Sequence, residues 1–334
     1  MAVWSAERAT PPVGRRSVVV AVLLLVGLAS VLRLTNPEQI PWLQNFFIIF
    51  GSLLIEALPF VLIGAFASAA IEVFVPATAF ASIAKLPRPL QLPCAAVAGM
   101  AFPVCECGSV PVARRLAQRG LAPGAAVTFM LAAPILNPIV IASTVIAYRG
   151  RDTFWIMVLG RMALGFIVAV AVGWVVGARN AGDLLRPNPE DDEKHHEDDD
   201  EPKWQRFTGH LGTDFLFMAK FLLLGATVSA AIQTVLPQTF VSHVASLPVV
   251  NLLAMMGLAF VLSLCSESDA FVAASFTQFG PAAQLAFLVS GPMLDMKLGA
   301  LYAGTYSKGF LRTVLFAVVA VTLAGTLWIA VVWG

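Results

Sequence analysis

Apolar residues fill almost the whole chain, in runs long enough to cross a membrane as helices. A spanning helix needs about 20 predominantly apolar residues. Runs of this kind lie at 18–34, 44–75, 91–118, 122–148, 154–178, 214–236, 249–276, 282–304 and 310–333. The pattern predicts an all-α polytopic protein that crosses the lipid bilayer many times.

Two of these runs carry a polar motif at their centre. The first motif is Cys-Glu-Cys-Gly-Ser at 105–109, and the second motif is Cys-Ser-Glu-Ser-Asp at 265–269. Gly108 and Pro111 follow the cysteines of the first motif and predict structural breaks there. Non-helical backbone at this depth survives only where it is buried in protein or lines a wet cavity. We therefore expect a broken or re-entrant helix at each motif.

The two motifs belong to an internal repeat. Residues 58–87 align without a gap onto 219–248, with thirteen identities in thirty positions. The match continues at the two motifs and again at 133–138 (Ala-Pro-Ile-Leu-Asn-Pro) against 291–296 (Gly-Pro-Met-Leu-Asp-Met). The chain is therefore predicted to hold two copies of one unit.

Basic residues distinguish two membrane topologies. If all nine runs cross the membrane, the Lys and Arg residues outside it split nine against nine. If the runs that carry the motifs re-enter on one side, the split is fifteen against three. The positive-inside rule favours the second topology, which makes the repeats inverted, as in many secondary transporters. The predicted parts are an N-terminal tail and first transmembrane helix (1–43), a first repeat (44–178), an acidic cytoplasmic linker loop (179–213) and a second repeat (214–334).

The amino-acid composition excludes several classes of protein. The chain is 58% hydrophobic and 12% charged, with a formal net charge of +1, and its four cysteines all lie in apolar runs. A nucleic-acid-binding protein and a secreted disulfide scaffold are thereby excluded. Residues 190–201 hold nine of the twenty acidic residues and predict a solvated, disordered tether. No Walker-type phosphate loop is present, so ATP hydrolysis would need another chain, and we expect no cofactor.

Acidic residues inside the apolar runs are candidates for function. Each costs about 2.5 to 3.5 kcal/mol at the bilayer centre unless it faces protein or water. The five deepest are Glu56, Glu106, Glu267, Asp269 and Asp295. Glu267 and Asp269 are the predicted proton-coupling residues, and Lys297 is the predicted partner in an ion pair. Structural ion pairs that hold the two halves together are the alternative.

Cysteines and two proline-containing segments complete the predicted site. Three soft sulfurs beside a carboxylate could bind a soft metal or metalloid, or take part in thiol exchange. Against exchange, Cys-x-Cys at helical spacing should point its thiols apart, and buried cysteines often serve only packing. Pro134 and Pro292 predict further breaks, each three residues before a polar side chain. The predicted substrate-binding residues are Cys105, Glu106, Cys107, Asn137, Cys265 and Asp295, and we predict no resident metal.

Four ordered motifs carry a family resemblance. They are Pro-Val-Cys-Glu-Cys-Gly-Ser-Val-Pro at 103–111, Ala-Pro-Ile-Leu-Asn-Pro at 133–138, Ser-Leu-Cys-Ser-Glu-Ser-Asp-Ala-Phe at 263–271 and Gly-Pro-Met-Leu-Asp-Met-Lys at 291–297. From about residue 44 to 330 the chain resembles the predicted permeases that include the ArsP organoarsenical exporters and the YraQ-type proteins. The resemblance implies an integral permease of the cell (inner) membrane, with efflux of trivalent organoarsenicals known for some members. Family members commonly carry a small polar residue where this chain has Glu106.

The leading hypothesis is a proton-coupled permease, not an enzyme, that exports a small thiol-reactive solute such as a trivalent organoarsenical. A membrane thiol–disulfide oxidoreductase that uses the three cysteines is the first alternative. The second is the membrane subunit of a larger transport complex, with the charged loop as a docking tether. The sequence leaves the substrate, the direction of transport and a homo-oligomeric state open.

Overall fold

The computed structural model describes residues 41–75, 87–100, 104–177, 185, 202–235 and 248–333. The chain divides into two compact units, Met1–Ile48 and Ile49–Gly334. Only the start of a helix, at 41–48, is described in the first unit. The predicted first membrane helix at 18–34 and the acidic run at 190–201 lie outside the described residues.

The described residues are helical, apart from turns and one isolated β-bridge between Leu185 and Tyr306. The first half holds α1 (Pro41–Phe74), α2 (Arg88–Met100), α3 (Glu106–Gln118), α4 (Pro123–Leu136), α5 (Pro138–Tyr148) and α6 (Phe154–Val176). The second half holds α7 (Lys203–Val235), α8 (Pro248–Leu262), α9 (Asp269–Ser275), α10 (Pro281–Ser290), α11 (Met296–Thr305) and α12 (Lys308–Trp333). The same order of long, short and paired helices thus recurs in each half. The all-α prediction is confirmed for this part of the chain, whereas the inverted relation of the halves stays a prediction.

Five helical segments in the described ranges are long and apolar enough to cross a membrane. They are α1, α4 together with α5, α6, α7 and α12. The helix α2 has 13 residues. At about 1.5 Å per residue it extends only about 20 Å, less than the roughly 30 Å of a hydrocarbon core. The runs at 91–118 and 249–276 are both interrupted, as their motifs predicted, since α3 begins only at Glu106 and α9 only at Asp269.

The run at 282–304 is also interrupted, in the segment where Pro292 predicts a break. The helix α10 ends at Ser290 and α11 begins at Met296. Pro292 lies in the turn between them, and a proline has no N–H to continue a helical hydrogen-bond pattern. Asp295 then caps α11, since its side chain accepts a hydrogen bond of 2.6 Å from the Leu298 N–H.

The break between α4 and α5 is smaller and is built in a similar way. Pro134 lies inside α4, and Asn137 is the single residue between the two helices. The Asn137 side chain accepts a hydrogen bond of 2.9 Å from the Ile139 N–H, and Pro138 occupies the first position of α5. Asn137 and Asp295 therefore play matching structural roles in the two halves.

Both halves contribute to a common apolar core. Val110, Leu131 and Val168 of the first half are buried in one cluster with Leu298 and Val314 of the second. The helix α5 packs against α9, and α11 packs against α3. Each half thus places its last short helix beside the helix that begins at the motif of the other half. This exchange positions the two motifs close together.

Candidate functional site

The first motif forms the N-terminus of α3. Cys105 is the N-cap, with an extended backbone (φ −74°, ψ 179°), and α3 begins at Glu106. Gly108 and Pro111 therefore lie inside α3, and the break precedes both of them, contrary to their predicted role. Gly108 instead permits close helix packing, because a Cβ on Gly64 of α1 would lie 2.5 Å from the Gly108 Cα.

The second motif is a turn between α8 and α9. Ser263, just before it, has a φ of +48°, in the left-handed region that L-residues rarely adopt. The Ser263 Oγ accepts a hydrogen bond of 3.1 Å from the N–H of Met296, at the start of α11. The turn ends where α9 begins, at Asp269. The backbone of the second motif is thus fixed to the polar turn that contains Asp295.

The two motifs meet at Glu106. Its Oε2 atom accepts hydrogen bonds from the hydroxyl of Ser266 (3.0 Å) and from the N–H of Ser266 (3.4 Å). The Cys265 Sγ lies 3.9 Å from this oxygen and 2.8 Å from Glu267 Oε2. Glu106, Cys265 and Ser266 are each at most 1% exposed. A carboxylate of the first half is therefore held by the turn of the second half, inside the protein.

The three predicted thiols lie together. The Cys105 thiol lies close to the thiols of Cys107 and Cys265. The ligand atoms of Cys105, Glu106 and Cys107 lie within 4.8 Å of one another, and so do those of Glu106, Cys265 and Glu267. The expectation that Cys105 and Cys107 point apart is wrong, because Cys105 is an extended N-cap residue and not a helical one. All three are free and buried, as the oxidoreductase alternative would also require.

Lys297 connects the carboxylates of the two halves. Its Nζ atom lies 3.7 Å from Glu106 Oε1 and 3.9 Å from Asp295 Oδ2. Neither of these two oxygens has a hydrogen-bond partner among the described residues, and the same holds for Glu267 Oε1. The central cluster, as we call it, consists of Cys105, Glu106, Cys107, Cys265, Glu267, Asp295 and Lys297. It is a buried site whose capacity to accept hydrogen bonds or bind cations is only partly used.

Asn137 and Pro134 support the site from the backbone of the first half. The Asn137 Nδ2 lies 3.5 Å from the carbonyl oxygen of Val104, and its Oδ1 caps α5. Both polar ends of Asn137 thus have backbone partners. Pro134 lacks the N–H that would bond to the Met130 carbonyl, which instead accepts a hydrogen bond of 3.0 Å from the Ser109 hydroxyl. These contacts fix the first motif against α4 and α5.

The structure adds Arg161, which the sequence analysis missed. Arg161 lies in α6, is 1% exposed, and places Nη2 2.7 Å from Asp269 Oδ2 and 3.2 Å from the carbonyl oxygen of Ser266. Its Nη1 donates a hydrogen bond of 2.9 Å to the hydroxyl of Thr144 in α5. The single arginine inside the apolar run 154–178 could have been identified from the sequence, because a charged residue in such a run usually has a buried partner. Asp269 therefore has a fixed cationic partner.

A second group of charges joins α1, α3 and α7. Arg115 lies 3.3 Å from Glu72 and 3.1 Å from Asp214, and Arg119 lies 2.8 Å from Glu72. Ser68 donates a hydrogen bond of 2.7 Å to Asp214. These pairs were not predicted from the sequence, because the helices that carry them lie far apart along the chain. The pairs tie the first long helix of each half to α3.

Similarity to known proteins extends over most of the chain. Residues 42–330 match the family model ArsP_1, described as a predicted permease. The UPF0718 protein YcgR of Bacillus subtilis (strain 168) is 40% identical over 284 residues, which cover 84% of this chain and 95% of that protein. A Streptococcus mutans serotype c protein named "Putative two-component membrane permease complex subunit" is 32% identical over 252 residues, or 75% of this chain and 83% of that protein. No solved structure matches the chain.

The family match agrees with the architecture. A model that covers 289 of the 334 residues, counted from 42 to 330, includes both motifs and every residue of the central cluster. The five helical segments suited to span a membrane are those of a multi-pass membrane protein. The chain therefore belongs to the predicted permease family.

Proposed function

We propose that this protein is a permease that moves a small thiol-seeking solute through the central cluster. The observation that carries the proposal is the contact between Glu106 of the first motif and Ser266 of the second, which joins the two halves at a buried polar site. Secondary transporters with inverted repeats bind solutes where broken helices of the two repeats meet. The exchange of short helices between the halves supports such a two-fold arrangement.

The donor atoms of the cluster define the class of solute. The donor atoms form two triads that share Glu106, one with the thiols of Cys105 and Cys107 and one with Cys265 and Glu267. Thiolates prefer soft and borderline ions and metalloids over Mg²⁺ or Ca²⁺. A trivalent organoarsenical, the solute class implied by the family resemblance, and a thiophilic divalent cation both fit this chemistry. In either case we propose efflux across the cell membrane.

Proton coupling is part of the proposal, and the geometry separates its two candidate residues. Asp269 pairs with Arg161 at 2.7 Å, so its charge is already balanced. Glu267 is half-buried and keeps one carboxylate oxygen without a hydrogen-bond partner among the described residues. Glu267 is therefore the better candidate for coupling, and Asp269 has a structural role.

Reconstitution in liposomes tests the proposed function. Purified protein should move phenylarsine oxide or Cd²⁺ across the bilayer faster than protein-free liposomes do. Cys265→Ser should reduce this rate at least about tenfold, because an alcohol oxygen is a poor replacement for a thiolate. Cys94→Ser is the matched control, since Cys94 is exposed on α2. Equal rates with and without protein, or a wild-type rate in Cys265→Ser, would contradict the proposal.

A second candidate function follows from the Streptococcus mutans relative, whose name describes a subunit of a two-component complex. By analogy, this chain would need a partner protein before it moves any solute. Affinity purification of the tagged chain from native membranes should then recover one partner in fixed proportion, and only the pair should be active in liposomes. Transport by the purified chain alone would rule this candidate out.

A further inference from the structure

We infer that the central cluster binds a borderline-soft divalent cation of the Zn²⁺ type. Glu106, Cys265 and Glu267 are the principal ligands, and one thiol of the first motif is the fourth. The inference rests on the proposed function insofar as it treats this ion as the solute. Of the two solute classes that fit the cluster, a trivalent organoarsenical and a thiophilic divalent cation, the inference selects the cation.

The spacing of the donor atoms fits a small tetrahedral ion. With Zn–S near 2.3 Å and Zn–O near 2.0 Å, neighbouring ligands in a tetrahedron lie about 3.3 to 3.8 Å apart. The Cys265 Sγ lies 3.9 Å from Glu106 Oε2 and 2.8 Å from Glu267 Oε2. The ligand atoms of all three residues lie within 4.8 Å of one another. The three donor atoms are therefore already close to the separations that such a site requires.

Charge distinguishes a cation from a neutral arsenical. The cluster holds three carboxylates, those of Glu106, Glu267 and Asp295, and one lysine, so its formal charge is minus two when the carboxylates are ionised and the thiols protonated. Asp269 is neutralised by Arg161, and Glu56, which accepts a hydrogen bond from Ser268, adds further negative charge beside the cluster. Buried charge that is not compensated is strongly unfavourable. A divalent cation would reduce this negative charge, and the thiols that ligate it would release their protons on binding, whereas a neutral solute would leave the carboxylates uncompensated.

Unpartnered oxygen atoms point to the same ligand independently. Glu106 is 99% buried, yet its Oε1 has no hydrogen bond among the described residues, and neither does Glu267 Oε1. Buried polar atoms without a partner are rare in folded proteins and mark strain or a missing ligand. Carboxylate oxygens accept hydrogen bonds or metal ions only, so a cation would satisfy them.

Lys297 leaves room for the ion. It lies on the Oε1 side of Glu106, while Cys265 and Ser266 approach Oε2. The ammonium group is nearly equidistant from Glu106 and Asp295, at 3.7 and 3.9 Å. When Glu106 ligates a cation through both oxygens, Lys297 can move towards Asp295, whose Oδ2 has no hydrogen bond in the described part of the chain. Lys297 thus acts as the internal counter-ion of the cluster.

Equilibrium binding to purified full-length protein in lipid nanodiscs tests the inference. Zn²⁺ added as the chloride should bind with one ion per chain, and Glu106→Gln or Cys265→Ser should weaken binding at least about tenfold. Co²⁺ in the same site should give a thiolate-to-cobalt absorption band that Cys265→Ser weakens, because only the thiolate of the first motif remains. Asp152→Asn and Cys94→Ser are the matched controls, because both side chains are exposed. If Glu106→Gln does not fold, binding of Zn²⁺ is measured in Glu267→Gln instead, because Glu267 is only half-buried.

The outcomes separate this inference from the proposed function. Absence of Zn²⁺ binding, or unchanged binding in a folded Glu106→Gln or Glu267→Gln variant, would overturn the inference. The proposed transport of phenylarsine oxide in liposomes would not be contradicted by either of these results. Binding of Zn²⁺ with the predicted dependence on these residues, but without any transport in liposomes, would establish the site and contradict the permease proposal.

Discussion

At the residue scale, the central cluster shows how a membrane protein accommodates carboxylates in its interior. Glu106 receives two hydrogen bonds from Ser266 and an ion pair from Lys297, but one of its oxygens has no hydrogen bond within the described ranges. An isolated charge would cost several kcal/mol here, and paired charges repay that cost only with good geometry. Distances of 3.7 and 3.9 Å to Lys297 are too long for strong hydrogen bonds. The cluster is therefore incompletely satisfied and suited to a ligand.

Replacing Lys297 should strengthen cation binding. Lys297→Met removes a positive charge beside the ion, so the affinity for Zn²⁺ should rise several-fold. Lys220→Met is the matched control, because the Lys220 ammonium is exposed and lies 4.5 Å from the centre of the Phe217 ring. Titration of both variants with Zn²⁺ measures the difference. Weaker binding in a folded Lys297→Met variant would mean that Lys297 organises the ligands and does not compete with the ion.

Arg161 and Asp269 should behave as a structural pair. Arg161→Met leaves Asp269 as an unpaired buried charge, which should lower the free energy of unfolding by about 3 to 5 kcal/mol. The double variant Arg161→Met, Asp269→Asn should recover part of this loss because it removes both charges. Melting temperatures in detergent give the comparison, with Arg149→Met as an exposed control. Additive losses in the double variant would show that the two residues do not interact.

At the element scale, the sequence predicted where helices are interrupted better than why. Polar residues within apolar runs indicated the breaks at both motifs, because such residues cannot face lipid. Gly108 was misjudged, since a glycine serves equally as a break and as a site of close packing, and only the neighbour Gly64 distinguishes the two roles. The partners of Arg161 and Arg115 could not be predicted, because one sequence does not say which helices are neighbours.

The contact between α1 and α3 should tolerate no added side chain at Gly64. A Cβ there would lie 2.5 Å from the Gly108 Cα, so the helices would have to separate. Gly64→Ala should destabilise the protein by about 1 to 3 kcal/mol. Gly51→Ala, in the same helix with no atom within 4 Å of its added Cβ, should be neutral or slightly stabilising. Thermal unfolding of the two variants compares these positions, and equal melting temperatures would refute the packing role of Gly64.

At the scale of the whole molecule, the chain combines a detectable duplication with contacts that the duplication alone does not specify. The repeat was visible as thirteen identities between 58–87 and 219–248. The exchange in which α5 packs on α9 and α11 on α3 became visible only in the structure. Inverted halves offer a physical reason for this pairing, since a two-fold axis brings equivalent elements to the same place from opposite sides.

The predicted topology places the N-terminus inside and the C-terminus outside the cell. A reporter enzyme active only outside the cytoplasm, fused after Gly334, should therefore be active. The same reporter placed within residues 190–201 should be inactive and serves as the control. An inactive C-terminal fusion combined with an active fusion in the linker would indicate the opposite orientation in the membrane. Two inactive fusions would favour nine crossings and parallel repeats.

The central claim is that one motif from each half meets in a single buried site, and a cross-link between the halves tests it most directly. The Cys105 and Cys265 thiols lie close together across the two halves, each within 4.8 Å of a carboxylate oxygen of Glu106. In a Cys94→Ser, Cys107→Ser background with a protease site inserted in residues 190–201, the short thiol cross-linker dibromobimane should join the two fragments. After protease treatment the fragments should migrate together on a denaturing gel. They should separate in a variant that also carries Cys265→Ser. The account would be contradicted if the two fragments separate in the variant that retains Cys105 and Cys265, although each thiol has reacted with its own molecule of dibromobimane.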